Sequence, residues 1–415
     1  MKSSGERDIL RDLVRRYLEI ARHPRQETVR EKWRGHNSLE PDDGPPPVLV
    51  QFGLYNVWCR AFIEAQCRCS DPTLRNMERG LRLKLFAATL DDDTVFEPWW
   101  SVGAVHVLPP DGLWGLREGR VASGGEGGAF AMDPPLKALE DVARLTVPQH
   151  RIDEAATAAR LGRLEDAVGD LITLDRTRGS AYGHFNGDIS TRLAQLRGLE
   201  QTMLDMYENP EWLHGLLAFM RDGILRAQQQ AEDAGDYSLT CHDNQGMPYS
   251  RELEDPRPNS GPRARRQLWG FMAAQEFTLI SPRMHEEFLL RYQRPIMAPY
   301  GLTHYGCCEN LTAKIDLLRT IPNLRRIAVT PSADLARCAE QIGRDYVISW
   351  RPNPTDMVCA GFDADRIRRI VRAGRATCRA NGCVVDLSLK DIETVEDDPG
   401  RLAQWVRLVR AAWAD

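Results

Sequence analysis

The residues able to do chemistry gather where apolar runs give way to polar turns. His242 and Asp243 follow one such run, Cys307, Cys308 and Glu309 another, and Lys390 and Asp391 a third. A His beside an Asp is suited to moving protons. His242, Asp243, Lys390 and Asp391 are therefore the candidate catalytic groups. Arg178 and Arg351 could grip a carboxylate, with Trp99 and Tyr55 completing the substrate-binding set. Adjacent residues on a strand face opposite ways, so one of Cys307 and Cys308 is expected to pack.

Positioning such groups requires elements that end at a common place. Eight apolar runs of strand length occur: 48–55, 94–102, 170–178, 237–243, 302–308, 325–331, 346–352 and 383–390. Helical patterns separate most of them, including 71–89, 191–234, 268–300 and 363–380. Apolar strands alternating with helices imply a parallel sheet covered on both faces. Eight units at this length predict an α/β fold of the (β/α)8 barrel type, with active residues at the strand tips. An amphipathic helix precedes the first strand, so residues 1–40 read as an N-terminal helical extension and 41–415 as the barrel. Residues 103–135, rich in Gly and Pro, read as an inserted loop after strand two, with a hairpin over 112–130. Such an insertion suits a lid or an oligomer contact, and a homodimer is the expected form. Along the last strand Asp386, Ser388 and Lys390 share one face, making Asp386 a buried carboxylate that needs Arg351 or Lys390 as partner.

Composition bounds the class of protein. With 42% hydrophobic residues the 415-residue chain can bury a large core, and a net charge of −5 argues against nucleic acid as partner. A mean hydropathy of −0.43, the polar start of the chain and the lack of any run of about 18 apolar residues predict a cytoplasmic protein with no membrane partner. The ten cysteines, several within apolar runs, read as free thiols rather than a disulfide framework.

Several segments carry a family resemblance. Tyr305 to Asn310, the helix from Ala313 to Thr320, Ile321-Pro322-Asn323-Leu324-Arg325 and Arg351-Pro352-Asn353-Pro354 are similar to the C-terminal half of uroporphyrinogen decarboxylase-like proteins. Ser281-Pro282 opens a helix as in those proteins, while Asp71-Pro72-Thr73-Leu74-Arg75 and Arg197-Gly198-Leu199-Glu200 resemble a subgroup of unassigned function. The superfamily also holds corrinoid-linked methyltransferases, and the resemblance covers roughly residues 30–415. The Arg-rich motif of the decarboxylase after strand one is replaced by Phe52-Gly53-Leu54-Tyr55-Asn56-Val57-Trp58-Cys59-Arg60. In the methyltransferases the resemblance implies zinc held by His-x-Cys on a late strand and a second Cys on the last. Cys308 matches the first Cys, Gly306 stands in place of the His, and Lys390-Asp391 replaces the final Cys. The resemblance thus implies Cys308 as a zinc ligand, with Cys307, Glu309 or His242 to complete the set, since zinc takes S, N and O ligands and a catalytic site needs three from the protein. His304 lies about 13 Å along an extended strand from Cys308 and could reach it only if the chain kinks at Gly306.

Two functions follow. The first is zinc-assisted methyl transfer involving a thiol or corrinoid acceptor. No corrinoid-binding motif is present, so a corrinoid would arrive on a separate protein. The alternative is a cofactor-free decarboxylase or other acid–base lyase acting on a small carboxylate. Both take a small-molecule substrate.

Overall fold

The computed structural model describes residues 2–41, 44–122, 130–359 and 361–414. Helices begin where the sequence supplies caps. Asp71 accepts the N–H groups of Thr73 and Leu74, with Pro72 in the first turn, and opens the helix Pro72–Ala88. Asp363 caps Ala364–Ala380 in the same way. The N-terminal amphipathic stretch is two helices, α1 (Lys2–Ala21) and α2 (Arg25–Asn37), parted by a turn at His23-Pro24.

The strands are β1 (Val48–Val50), β2 (Trp99–Gly103), β3 (Gly119–Ala122), β4 (Phe130–Asp133) and β5 (Thr173–Thr177), then β6 (Trp269–Met272), β7 (Leu302–Tyr305), β8 (Leu324–Val329), β9 (Val347–Trp350) and β10 (Val384–Leu389). Six of them form a curled parallel sheet, a half-barrel, in the order β1-β10-β9-β8-β7-β6. β2 and β5 make a separate parallel pair. β3 and β4 pair antiparallel inside the inserted segment, later in the chain than the expected 112–130 hairpin, and their connection lies outside the described residues.

One predicted strand is corrected. Residues 237–243 form a loop with a turn, and the strand lies instead at Trp269–Met272, inside the stretch assigned to a helix. Four fully buried residues are too few for periodicity to separate the two conformations.

Side chains bridge both ends of the six-stranded sheet. At β1, Asp93 Oδ2 accepts the Val48 N–H at 2.8 Å and Asp92 Oδ2 the Val50 N–H at 2.9 Å, doing the work of a neighbouring strand's carbonyls. At β6, the Trp269 N–H donates to His242 Nδ1 at 3.1 Å, and the Asp243 N–H to the Trp269 carbonyl at 3.2 Å. Backbone groups that would otherwise be buried without a partner are thus satisfied.

Alternation along β10 turns Leu387 and Leu389 into the main hydrophobic core, which also takes Trp350. Gly374 admits the Trp350 ring, since a Cβ there would stand 2.2 Å from it. On the other face Asp386 and Ser388 point to a polar interior. The partners of Asp386 are neither Arg351 nor Lys390. They are Arg326 Nη2 at 2.9 Å, His36 Nε2 at 3.0 Å and Ser349 Oγ at 3.1 Å. Burial alone would raise this carboxyl, but Arg326 and His36 hold it down at about 2. The C-terminal turn of α2 therefore enters the amino end of the sheet. There Asn37 bonds Arg326 Nη1 and the carbonyls of Met247 and Tyr249.

Candidate active site

At the opposite, carboxyl ends of the strands a cavity of about 430 Å³ is lined from β1 by Gln51 and Tyr55, from β7 by Cys307 and Cys308, and from β10 by Lys390 and Asp391. His184, Phe185, Gln245 and Gln275 complete it. The backbone is bent sharply around this mouth. His184, Gln245 and Asp391 have φ of +50, +50 and +57°, and Gly306 has +102°. Strained residues of this kind persist where the surroundings hold a site in place.

Gly306 decides the arrangement of the thiols. A Cβ there would come within 2.8 Å of Leu311 Cδ1 and 3.0 Å of Ala328 Cβ, and φ is left-handed, so only glycine is free of strain. The chain leaves β7 at this kink and strand alternation ends. Both cysteines therefore border the cavity, Cys308 exposed and Cys307 buried against Phe271 and Ala273, so that one of the pair packs as alternation predicted.

Cys307 Sγ lies 2.7 Å from Lys390 Nζ, 3.5 Å from Cys308 Sγ and 3.6 Å from Gln245 Nε2. Cys308 Sγ is 4.0 Å from Lys390 Nζ and 3.5 Å from Asp391 Oδ2. The thiol of Cys308, donating to Cys307, and the positive charges of Arg351 and Lys390 pull Cys307 well below the ordinary thiol range despite its burial. Cys308 is pushed the opposite way by its ionised neighbour, by burial and by Asp391. The negative charge of the pair thus rests on Cys307, the sulfur nearer the ammonium.

Arg351 is buried beneath this pair. Its Nη1 donates to the Cys307 carbonyl and its Nη2 to Gln245 Oε1 at 3.0 Å, so it fixes backbone rather than facing the cavity. Glu309 is also turned inward, accepting the N–H groups of Ala274 and Cys307, each at 2.7 Å. Asp243 meets His184 Nδ1 at 2.9 Å and lines a second cavity of about 400 Å³ beside β6, with His184 in the wall between the two.

His242 has both ring nitrogens committed: Nδ1 accepts from Trp269, and Nε2 donates to the Glu254 carbonyl at 3.2 Å. Desolvation pushes it down to about 4, so the ring is neutral. Arg178 is paired with Glu154 and Asp236, and Trp99 stands at the amino end of β2; neither lines the strand-end cavity. Of the residues singled out from sequence, the fold brings together Cys307, Cys308, Lys390, Asp391 and Tyr55, with Arg351 behind them.

Sequence reasoning passed over His184, Gln245, Phe185 and Gln275, and gave no role to Gln51, although it stands at a strand tip. His184 opens a short 3-10 helix, His184–Asn186, and Gln245 sits in a loop, and the local signal at each is a polar residue beside glycine.

The two thiols are close enough to share an ion, but Glu309 is held by backbone amides and His242 by Trp269 and Glu254. His304 is buried with Nδ1 on the Asn244 carbonyl. Among the described residues no three His, Cys, Asp or Glu side chains are grouped to hold a metal. The Lys390 ammonium already stands 2.7 Å from Cys307 Sγ. These residues do not fit a zinc centre.

Neither a protein-family profile nor a curated protein sequence matches the chain. Among solved structures it is similar to a methyltransferase from Methanosarcina mazei, at 12% identity and a TM-score of 0.53, over 93% of this chain and 99% of that one. The likeness is one of fold. It spans nearly the whole of both chains. No helix among the described residues is long and apolar enough to cross a membrane.

Proposed function

We propose that this chain is a methyltransferase-like enzyme of the uroporphyrinogen decarboxylase superfamily whose reactive group is the Cys307 thiolate. The observation that carries this reading is the 2.7 Å contact of Lys390 Nζ with Cys307 Sγ inside a cavity at the strand ends. Support comes from the fold likeness to the Methanosarcina mazei methyltransferase and from the superfamily-like segments between Tyr305 and Pro354. We read the eight parallel strands as one (β/α)8 ring with two seams bridged by side chains, the arrangement that delivers strand tips to a common mouth. In the proposed step the sulfur attacks the methyl carbon of an activated small-molecule donor. A C–S bond forms, and the donor leaves with the electron pair of the bond that breaks. Lys390 keeps the sulfur ionised and nucleophilic, and Arg351 fixes its backbone.

A specific observation favours a second reading, acid–base chemistry on a small carboxylate. His184, hydrogen-bonded to Asp243 behind it, borders the same cavity as Lys390, which would bind the carboxylate. Methylation by a simple electrophile such as methyl 4-nitrobenzenesulfonate tests the first reading. Cys307 is expected to take one methyl group at neutral pH faster than any other cysteine, and Cys307→Ser to lose this labelling. Equal labelling of all accessible thiols would leave the acid–base reading in its place.

A further inference from the structure

Cys307 and Cys308 present two sulfurs 3.5 Å apart on the same side of the chain. A direct bond between them is disfavoured. Adjacent Cα atoms stand about 3.8 Å apart, whereas a disulfide asks for roughly 4.4–6.8 Å. The gap suits one bridging atom bonded to both sulfurs. A dication is a poor candidate, because Lys390 Nζ lies 2.7 Å from one sulfur and 4.0 Å from the other. An uncharged thiophilic centre meets no such repulsion. The pair opens on the cavity beside Tyr55, His184 and Phe185, whose rings would receive an organic substituent.

We propose that Cys307 and Cys308 form a bidentate binding site for a neutral trivalent metalloid, with monosubstituted organoarsenicals as the fitting class. This goes beyond the methyl-transfer reading and does not depend on it. With a ligand of the form R–As(OH)2, two As–S bonds form and two As–O bonds break. One hydroxyl group leaves as water with the Cys308 thiol proton and the other with a proton taken from solvent, since Cys307 is already ionised, and arsenic stays trivalent. Cys307, beside Lys390, bonds first. Cys308 then closes the chelate, and Asp391, 3.5 Å from its sulfur, takes the proton on its way out.

The test uses phenylarsine oxide on the full chain, read by native mass spectrometry. One adduct is expected that survives excess glutathione, a monothiol, and is removed by 2,3-dimercaptopropanol, a dithiol. Closing a chelate commonly adds about 100-fold or more in retention, so Cys308→Ser and Cys307→Ser should each lose at least about that factor against glutathione. Cys378 and Cys383, the other hydrogen-bonded thiol pair, serve as control, and the double serine variant there should bind as the native chain does. Absence of the adduct, full retention in Cys308→Ser, or loss confined to the Cys378/Cys383 variant would each overturn the proposal. The assay reads retention and not turnover. A failed methylation test therefore leaves this site standing, and a failed arsenical test leaves the thiolate reaction standing.

Discussion

Cys307 and Lys390 sit 83 residues apart in the chain and 2.7 Å apart in space, and Cys307, though buried, borders the strand-end cavity. Iodoacetamide reacts with thiolate and not thiol, so its rate against pH reports the ionisation of Cys307. The native midpoint should fall below the ordinary thiol value of about 8.5. Lys390→Met removes the nearer positive charge, so the midpoint should move up while the melting temperature hardly changes. An unmoved midpoint would mean that Lys390 does not hold the thiolate. Asp386 makes the contrasting case of a charge with a purely internal role. Asp386→Asn leaves Arg326 buried without its counter-charge, and breaking a buried pair in this way costs about 3–5 kcal/mol. Denaturant unfolding should show a loss of that order.

At the scale of elements, the edge of β1 depends on carboxylates instead of a neighbouring strand. Burial pushes Asp92 up to about 6, although the hydrogen bonds from Val50 and Thr94 favour its ionised form. A carboxyl whose folded value lies above its ordinary 3.8 takes up a proton on folding. Its stabilising contribution is complete below about pH 4 and is lost as the pH rises through 6. Compared with Asp92→Asn, the native chain should lose roughly 2–3 kcal/mol between those limits and show no further change above them. Urea titrations across the range check this, and a native chain that gained stability relative to the variant as the pH rose would contradict it. The strands β7 to β10 were legible from sequence because each is an apolar run closed by polar or turn residues. The helices from Pro72 and Ala364 were legible from their helical residue pattern. β6 was not, because Gly270 and three large apolar residues between helical stretches carry no period of their own.

Across the whole molecule, α2 joins the N-terminal segment to the sheet interior. Trp33 packs with Leu49 and Tyr249, His36 bonds Asp386, and Asn37 bonds Arg326. A chain lacking residues 1–40 would leave Asp386 and Arg326 short of partners and uncover that apolar cluster. It should lose its single cooperative transition by calorimetry, and a truncated chain melting like the full one would show the segment to be dispensable. The sequence by itself determined the α/β alternation, most strands and caps, and the short list of reactive residues at strand tips. These follow from local periodicity and from each residue's own chemistry. Only the tertiary structure decided which tips meet. It turned Cys307 and Cys308 together through the Gly306 kink and set Lys390 against the first of them. It also withdrew Glu309, His242 and Arg178 into other contacts and gave Asp386 to Arg326 and His36. Those outcomes depend on how elements distant in sequence pack, and no local pattern of residues encodes that distance.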